Sequence, residues 1–81
     1  MNTIEKILFD VAKELTRAMQ LHGPQRSAHE SYAVLLEEVD EFWEEVKKRR
    51  EERHEPAMRA ELIQIAAMAC RAIHDLDLEE G

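Results

Sequence analysis

The sequence predicts an all-α protein built from three helices. The chain holds only two glycines and two prolines in 81 residues, too few turn formers for a β-sandwich. Its apolar residues recur at intervals of three and four, the period of a helix face. At 44% hydrophobic it is also too apolar to stay disordered. Helices are expected over about 3–21, 28–53 and 56–77 within one domain. A chain this short buries only about 60% of the surface it exposes when unfolded, so a bundle completed by association is expected.

Asn2 or Thr3 is placed to cap the first helix, where Ile4, Ile7, Leu8, Val11, Leu15, Ala18 and Met19 form one apolar stripe. His22-Gly23-Pro24 ends it, because glycine suits the residue after a helix and proline prevents continuation. Ser27-Ala28-His29-Glu30 reads as a capping box that starts the second helix. Its expected buried face is Tyr32, Leu35, Leu36, Val39, Phe42, Trp43 and Val46, and the basic run from Lys47 to Arg53 is its solvated end. There, pairs four residues apart such as Glu45 with Arg49 are expected. Glu55-Pro56 opens the third helix. From Leu62 to Ile73 only Gln64 and Arg71 interrupt the apolar run. Two neighbouring helices would leave part of that circumference wet, which points to a homodimer or tetramer.

The net charge is −7, from 18 acidic and 11 basic residues. That balance opposes nonspecific nucleic-acid binding, which depends on Lys and Arg neutralising phosphates. A polyphosphate ligand would need a divalent cation between it and this chain; plain solubility explains the charge equally well. Cys70 is the lone cysteine, expected as a buried, inert thiol in a reducing compartment. Glu5 and Asp10 interrupt the opening apolar positions, unlike a signal peptide. No run approaches the roughly 18 apolar residues of a membrane span. A cytoplasmic location with no membrane partner is expected.

Helix two contains Glu37-Glu38-Val39-Asp40-Glu41-Phe42-Trp43-Glu44-Glu45. At 100° per residue, Glu38, Glu41 and Glu45 lie within roughly 60° of one another. Carboxylates at such spacings repel, and no basic residue is interleaved before Lys47. A hard dication would offset the repulsion, because Mg²⁺ prefers carboxylate oxygens. Glu61 and Gln64 on helix three share a face three residues apart, and antiparallel packing would bring both pairs together. A solvated acidic face has the same spacing.

These residues resemble a known family. Glu37-Glu38-Val39-Asp40-Glu41 matches the EExxE half of the signature of the MazG-like nucleotide pyrophosphohydrolases. Glu61-Leu62-Ile63-Gln64 stands where the ExxD half is expected. The segment from Ala28 to Glu38, with the later run from Leu62 to Leu76, is also similar to small MazG-like proteins of phages and bacteria, over about residues 20–77. The resemblance implies a helical bundle that hydrolyses an NTP or dNTP to the monophosphate and pyrophosphate with Mg²⁺ or Mn²⁺. It implies Glu38, Glu41 and Glu61 as ligands, Gln64 in the fourth position, and Glu37 or Glu45 as a further ligand or base. Gln64 departs from the pattern: an amide ligates through oxygen but brings no negative charge.

Trp43 and Tyr32 are candidates for stacking on a base, against packing in a core or dimer. Lys47 with Lys48, and Arg71, are candidates for phosphate contacts, against a solvated helix end and an ion pair with a helix-two carboxylate. His29 is a candidate for the site mouth. The four histidines lack zinc-site spacing. Two rival readings remain: a catalytically weak or inactive relative that binds nucleotide or metal, and a helical interaction module.

Overall fold

In the computed structural model, which describes residues 1–78, the chain forms three helices: α1 (Thr3–Leu21), α2 (Ala28–Val46) and α3 (Glu55–Asp75). No strand occurs among the described residues.

The starts follow local chemistry. Asn2 Oδ1 accepts from Glu5 N at 2.8 Å, and Ser27 Oγ accepts from Glu30 N at 3.0 Å, each satisfying a backbone donor left free by the first helical turn. The second arm of the expected capping box is displaced by one residue, for the Glu30 carboxylate accepts from Arg26 N instead. Gly23 takes no left-handed conformation. His22, extended, ends α1, and its N–H reaches the Ala18 carbonyl.

Helix two is shorter than expected, and the reason lies beyond the helix. The Arg53 guanidinium donates to the Val46 carbonyl, at 2.7 Å from Nη2 and 3.0 Å from Nε. It thereby occupies a carbonyl that the next helical turn would need. The chain then forms a three-residue 3-10 turn, Arg50–Glu52. Glu45 pairs with Lys48 rather than Arg49. Helix α3 closes with a Schellman motif: Leu78 N reaches Ile73 O and Asp77 N reaches His74 O. Asp77, at φ 52°, takes the left-handed position usually given to glycine.

Helix α3 is the spine. It runs parallel to α1, as Asp10–Arg59, Glu14–Gln64 and Ala18–Arg71 contacts show, and antiparallel to α2, because Gln25, just before α2, reaches Met68, whereas Glu38 and Glu41 meet Glu61. Helices α1 and α2 scarcely touch each other. The core is small: Ala18, Ala67, Met68 and Ala72 are buried, and Val11, Leu15, Val34 and Leu35 pack partly buried around them. Of the face expected to bury on α2, only Leu35, Phe42 and Val46 are half-buried, whereas Tyr32, Leu36, Val39 and Trp43 are exposed. Cys70, expected inside, is exposed. The apolar period locates these residues on one side of a helix, but no neighbour among the described residues covers that side.

Arg71 holds α1 to α3. It is 4% exposed and donates to the Ala18, His22 and Gly23 carbonyls at 2.7–2.9 Å. Its Nε pairs with Asp75 at 2.9 Å. The expected pairing with a helix-two carboxylate is corrected: the guanidinium serves the open carbonyl end of α1 and pairs with Asp75. Gln25 N and His74 complete the Asp75 carboxylate. Those donors, Gln25 first, hold its pKa down to about 2. Gln25 also accepts from Ser31 Oγ, which fixes the entry to α2.

Replacing Arg71 by Leu strands the Asp75 charge and three carbonyls, a loss of about 3–5 kcal/mol. That compares with a total of roughly 4–12 kcal/mol for a chain this long, and urea denaturation should show it. Because the native pKa of Asp75 lies below its ordinary 3.8, its stabilisation is present above about pH 4 and disappears toward pH 2. Acid unfolding of Asp75→Asn should lack that component.

Candidate metal centre

Glu38 and Glu41 sit one turn apart on α2, and Glu61 meets them from α3. One carboxylate oxygen from each lies within 4.8 Å of the others. Oxygens around a single Mg²⁺ at 2.0–2.1 Å stand about 3–4 Å apart, so small rotamer changes close this set on one ion. Glu38 and Glu61 are half-buried and Glu41 is exposed. None of the three pairs with a basic group among the described residues.

The cluster is electrostatically strained. Loss of water around Glu38, then the charges of Glu41, Glu61 and Glu37, push its pKa up to about 7. Burial, then the Glu41 carboxylate, also raises Glu61. The Oε2 atom of Glu61 is buried without a hydrogen-bond partner, although an unsatisfied buried acceptor costs about 1–3 kcal/mol. An oxygen-seeking dication fits this set: it supplies the missing partner and cancels the repulsion.

The fourth expected position behaves differently. Gln64 Nε2 donates to Glu14 Oε1 at 2.8 Å. Through that bond Gln64 links α3 to α1. Glu14, which also pairs with Arg17, is the residue that sequence reasoning missed. Its signal was present: it lies one turn before Ala18, at the core edge of α1. Arg17 first, with a smaller contribution from Gln64, lowers its pKa.

Beside the cluster, a cleft of about 400 Å³ opens between the helices; Glu14, Glu37, Glu38, Gln64, Met68 and Arg71 are among its lining residues. Such a volume is within the range of small-ligand sites. Glu37 reaches it from an exposed position. Glu45 does not belong here: Lys48, then the His54 backbone N–H, hold its pKa below the ordinary range. The structure brings neither Trp43 nor Lys47 to the cleft; Trp43 lies on another face of α2, and Lys47 pairs with Glu44 at 2.9 Å. Tyr32, Lys48 and His29 are also absent from its lining. Arg71 lines it, but its guanidinium is engaged by α1 and Asp75.

No protein-family model, curated protein or solved structure matches this chain.

Glu38 binds its proton more tightly in the native state than its ordinary 4.5. Its protonation therefore favours the fold fully below about pH 4.5, and that contribution disappears as pH rises through about 7. In metal-free protein, Tm should fall across this window, and Glu38→Gln should flatten the fall. Millimolar Mg²⁺ should raise Tm more at pH 8 than at pH 5.5, because the competing proton has left. Equal Mg²⁺ shifts at both pH values would contradict the assignment.

Proposed function

We propose that this chain is a metal-dependent nucleotide pyrophosphohydrolase of the MazG-like kind, cleaving an NTP or dNTP to the monophosphate and pyrophosphate. One observation carries the reading. Glu38 and Glu41 of the EExxE-like segment and Glu61 of the later segment converge within 4.8 Å, and a buried oxygen among them lacks a partner.

Mg²⁺, when bound, supplies neutralisation of phosphate charge and a more acidic water. Glu38, Glu41 and Glu61 hold their oxygens toward one point, and Glu38 must lose its proton to do so. Glu37, beside Glu38 on the cleft rim, is placed to take the proton of a water attacking phosphorus. The oxygen of that water joins the nucleoside monophosphate, and pyrophosphate leaves. Gln64 keeps Glu14 at the cleft wall, while Arg71 holds the end of α1 that forms the other side.

A second reading is binding of metal and nucleotide without turnover. It is favoured by Gln64, whose amide bonds to Glu14 and brings no charge to the fourth position. Calorimetric titration with Mg²⁺ and a dNTP, run beside a turnover assay, separates the two: binding without pyrophosphate release selects the second.

For the enzyme, a panel of NTPs and dNTPs with Mg²⁺ should yield pyrophosphate. Glu38→Gln and Glu41→Gln should each lower kcat/KM by at least about 100-fold. Turnover unchanged in both variants would refute the proposal.

A further inference from the structure

Glu14 is an acid of the cleft that the proposed chemistry leaves without a task. It belongs to α1, yet its carboxylate reaches α3 and accepts three hydrogen bonds. Arg17 grips it as a fork, Nε to Oε2 at 3.0 Å and Nη2 to Oε1 at 2.5 Å. Gln64 Nε2 donates to the same Oε1 at 2.8 Å. A guanidinium on both oxygens keeps the group a carboxylate, and a carboxylate only accepts.

That property fixes the orientation of a side chain on another helix. A primary amide carries donors on one edge and an acceptor on the other, and in neutral surroundings either edge fits. Beside an ionised carboxylate only the NH₂ edge fits, so Glu14 draws the Gln64 nitrogen toward α1 and turns the oxygen away from it. Gln64 Oε1 has no hydrogen-bond donor among the described residues. Around α3, Gln64 stands about 60° from Glu61. It also lines the cleft beside Glu38, which meets Glu61 from α2.

The orientation matters to a cation. An NH₂ edge turned toward a dication would repel it, whereas the oxygen edge attracts it, and a carboxylate behind the amide polarises that oxygen further. Outer carboxylates hydrogen-bonded to a metal-binding group act in this way, and their loss weakens metal binding about 10–100-fold.

We infer that Glu14 is a positioning residue of the metal centre: from α1 it locks the Gln64 amide so that its oxygen is presented to a dication held by Glu38, Glu41 and Glu61. Arg17 takes part by holding Glu14. The inference rests on the metal-centre reading and not on the hydrolytic chemistry.

Mg²⁺ titrated into the full chain tests this without turnover. Calorimetry gives Kd, and the side-chain NH₂ resonances of Gln64, identified by their loss in Gln64→Leu, report on the amide itself. Mg²⁺ should shift those resonances and leave the Gln20 pair in place. Glu14→Gln should abolish the shift and weaken Mg²⁺ binding about tenfold or more. Because Glu14 acts through Gln64, adding Glu14→Gln to Gln64→Leu should weaken binding less than about twofold further. A full further loss in that double variant means that Glu14 acts by its charge alone, and overturns the inference. An unaltered Kd in Glu14→Gln overturns it too. Glu38→Gln separates the two levels. If it leaves Mg²⁺ binding intact, the metal-centre reading falls and this inference with it; if it removes binding and Glu14→Gln does not weaken it, the inference alone falls. Should Glu14→Gln not fold, the unsubstituted chain still decides: Mg²⁺ that leaves the Gln64 resonances unmoved overturns the inference.

Discussion

The arrangement of this molecule depends on one buried guanidinium. Helices α1 and α2 scarcely touch, so each is placed only by what it makes with α3. For α2 that contact is a broad side-by-side packing. For α1 it is narrower, and Arg71 fixes its end by donating to the Ala18, His22 and Gly23 carbonyls. Those carbonyls belong to the end of a helix, where backbone acceptors have no intrahelical donor. A positive group placed there also meets the negative end of the helix dipole. Asp75 neutralises the buried charge, and the Gln25 N–H that binds Asp75 carries the order onward into the start of α2. One ion pair thus sets both walls of the cleft.

The acidic cluster draws on that rigidity. Three carboxylates within 4.8 Å would separate if their helices were free to slide. They are held together because Met68 and Ala67, two turns along α3 from Glu61, are packed in the core. Gln64 lies on the same stretch of α3 and ties it to Glu14 of α1. An acid at position 64 would bring a fourth negative charge beside Glu14 and could not donate to it. The amide therefore suits its α1 neighbour.

Local features were legible in the sequence, and features between distant residues were not. The caps at Asn2 and Ser27, the joint at Gly23-Pro24 and the start near Pro56 each involve groups within a few residues, so spacing alone identifies them. Helical periodicity and antiparallel packing bring Glu38, Glu41 and Glu45 toward Glu61 and Gln64, but only the resemblance singled out Glu38, Glu41 and Glu61, the three that meet. The end of α2 was not legible, since Arg53 acts on Val46 from outside the helix. Nor was the role of Arg71, whose carbonyl partners are about 50 residues away. Periodicity likewise put Tyr32, Leu36, Val39 and Trp43 on one side of α2 without saying that they stay exposed.

Helix α2 therefore serves two opposed demands on its two sides. One side gathers carboxylates, where burial and then mutual repulsion raise Glu38 to about 7, and the other leaves apolar surface in water. Both lower the stability of an isolated protomer, and the core that must offset them has, among the described residues, four buried apolar residues, three of them alanine. A ligand or partner that binds only the folded form raises stability by mass action. A dication on the acidic side and apolar cover on the other would each relieve a different one of these deficits, about 150° apart around one helix. Because they act on separate groups, their effects should add, with coupling only as strong as the rigidity of α2 between them.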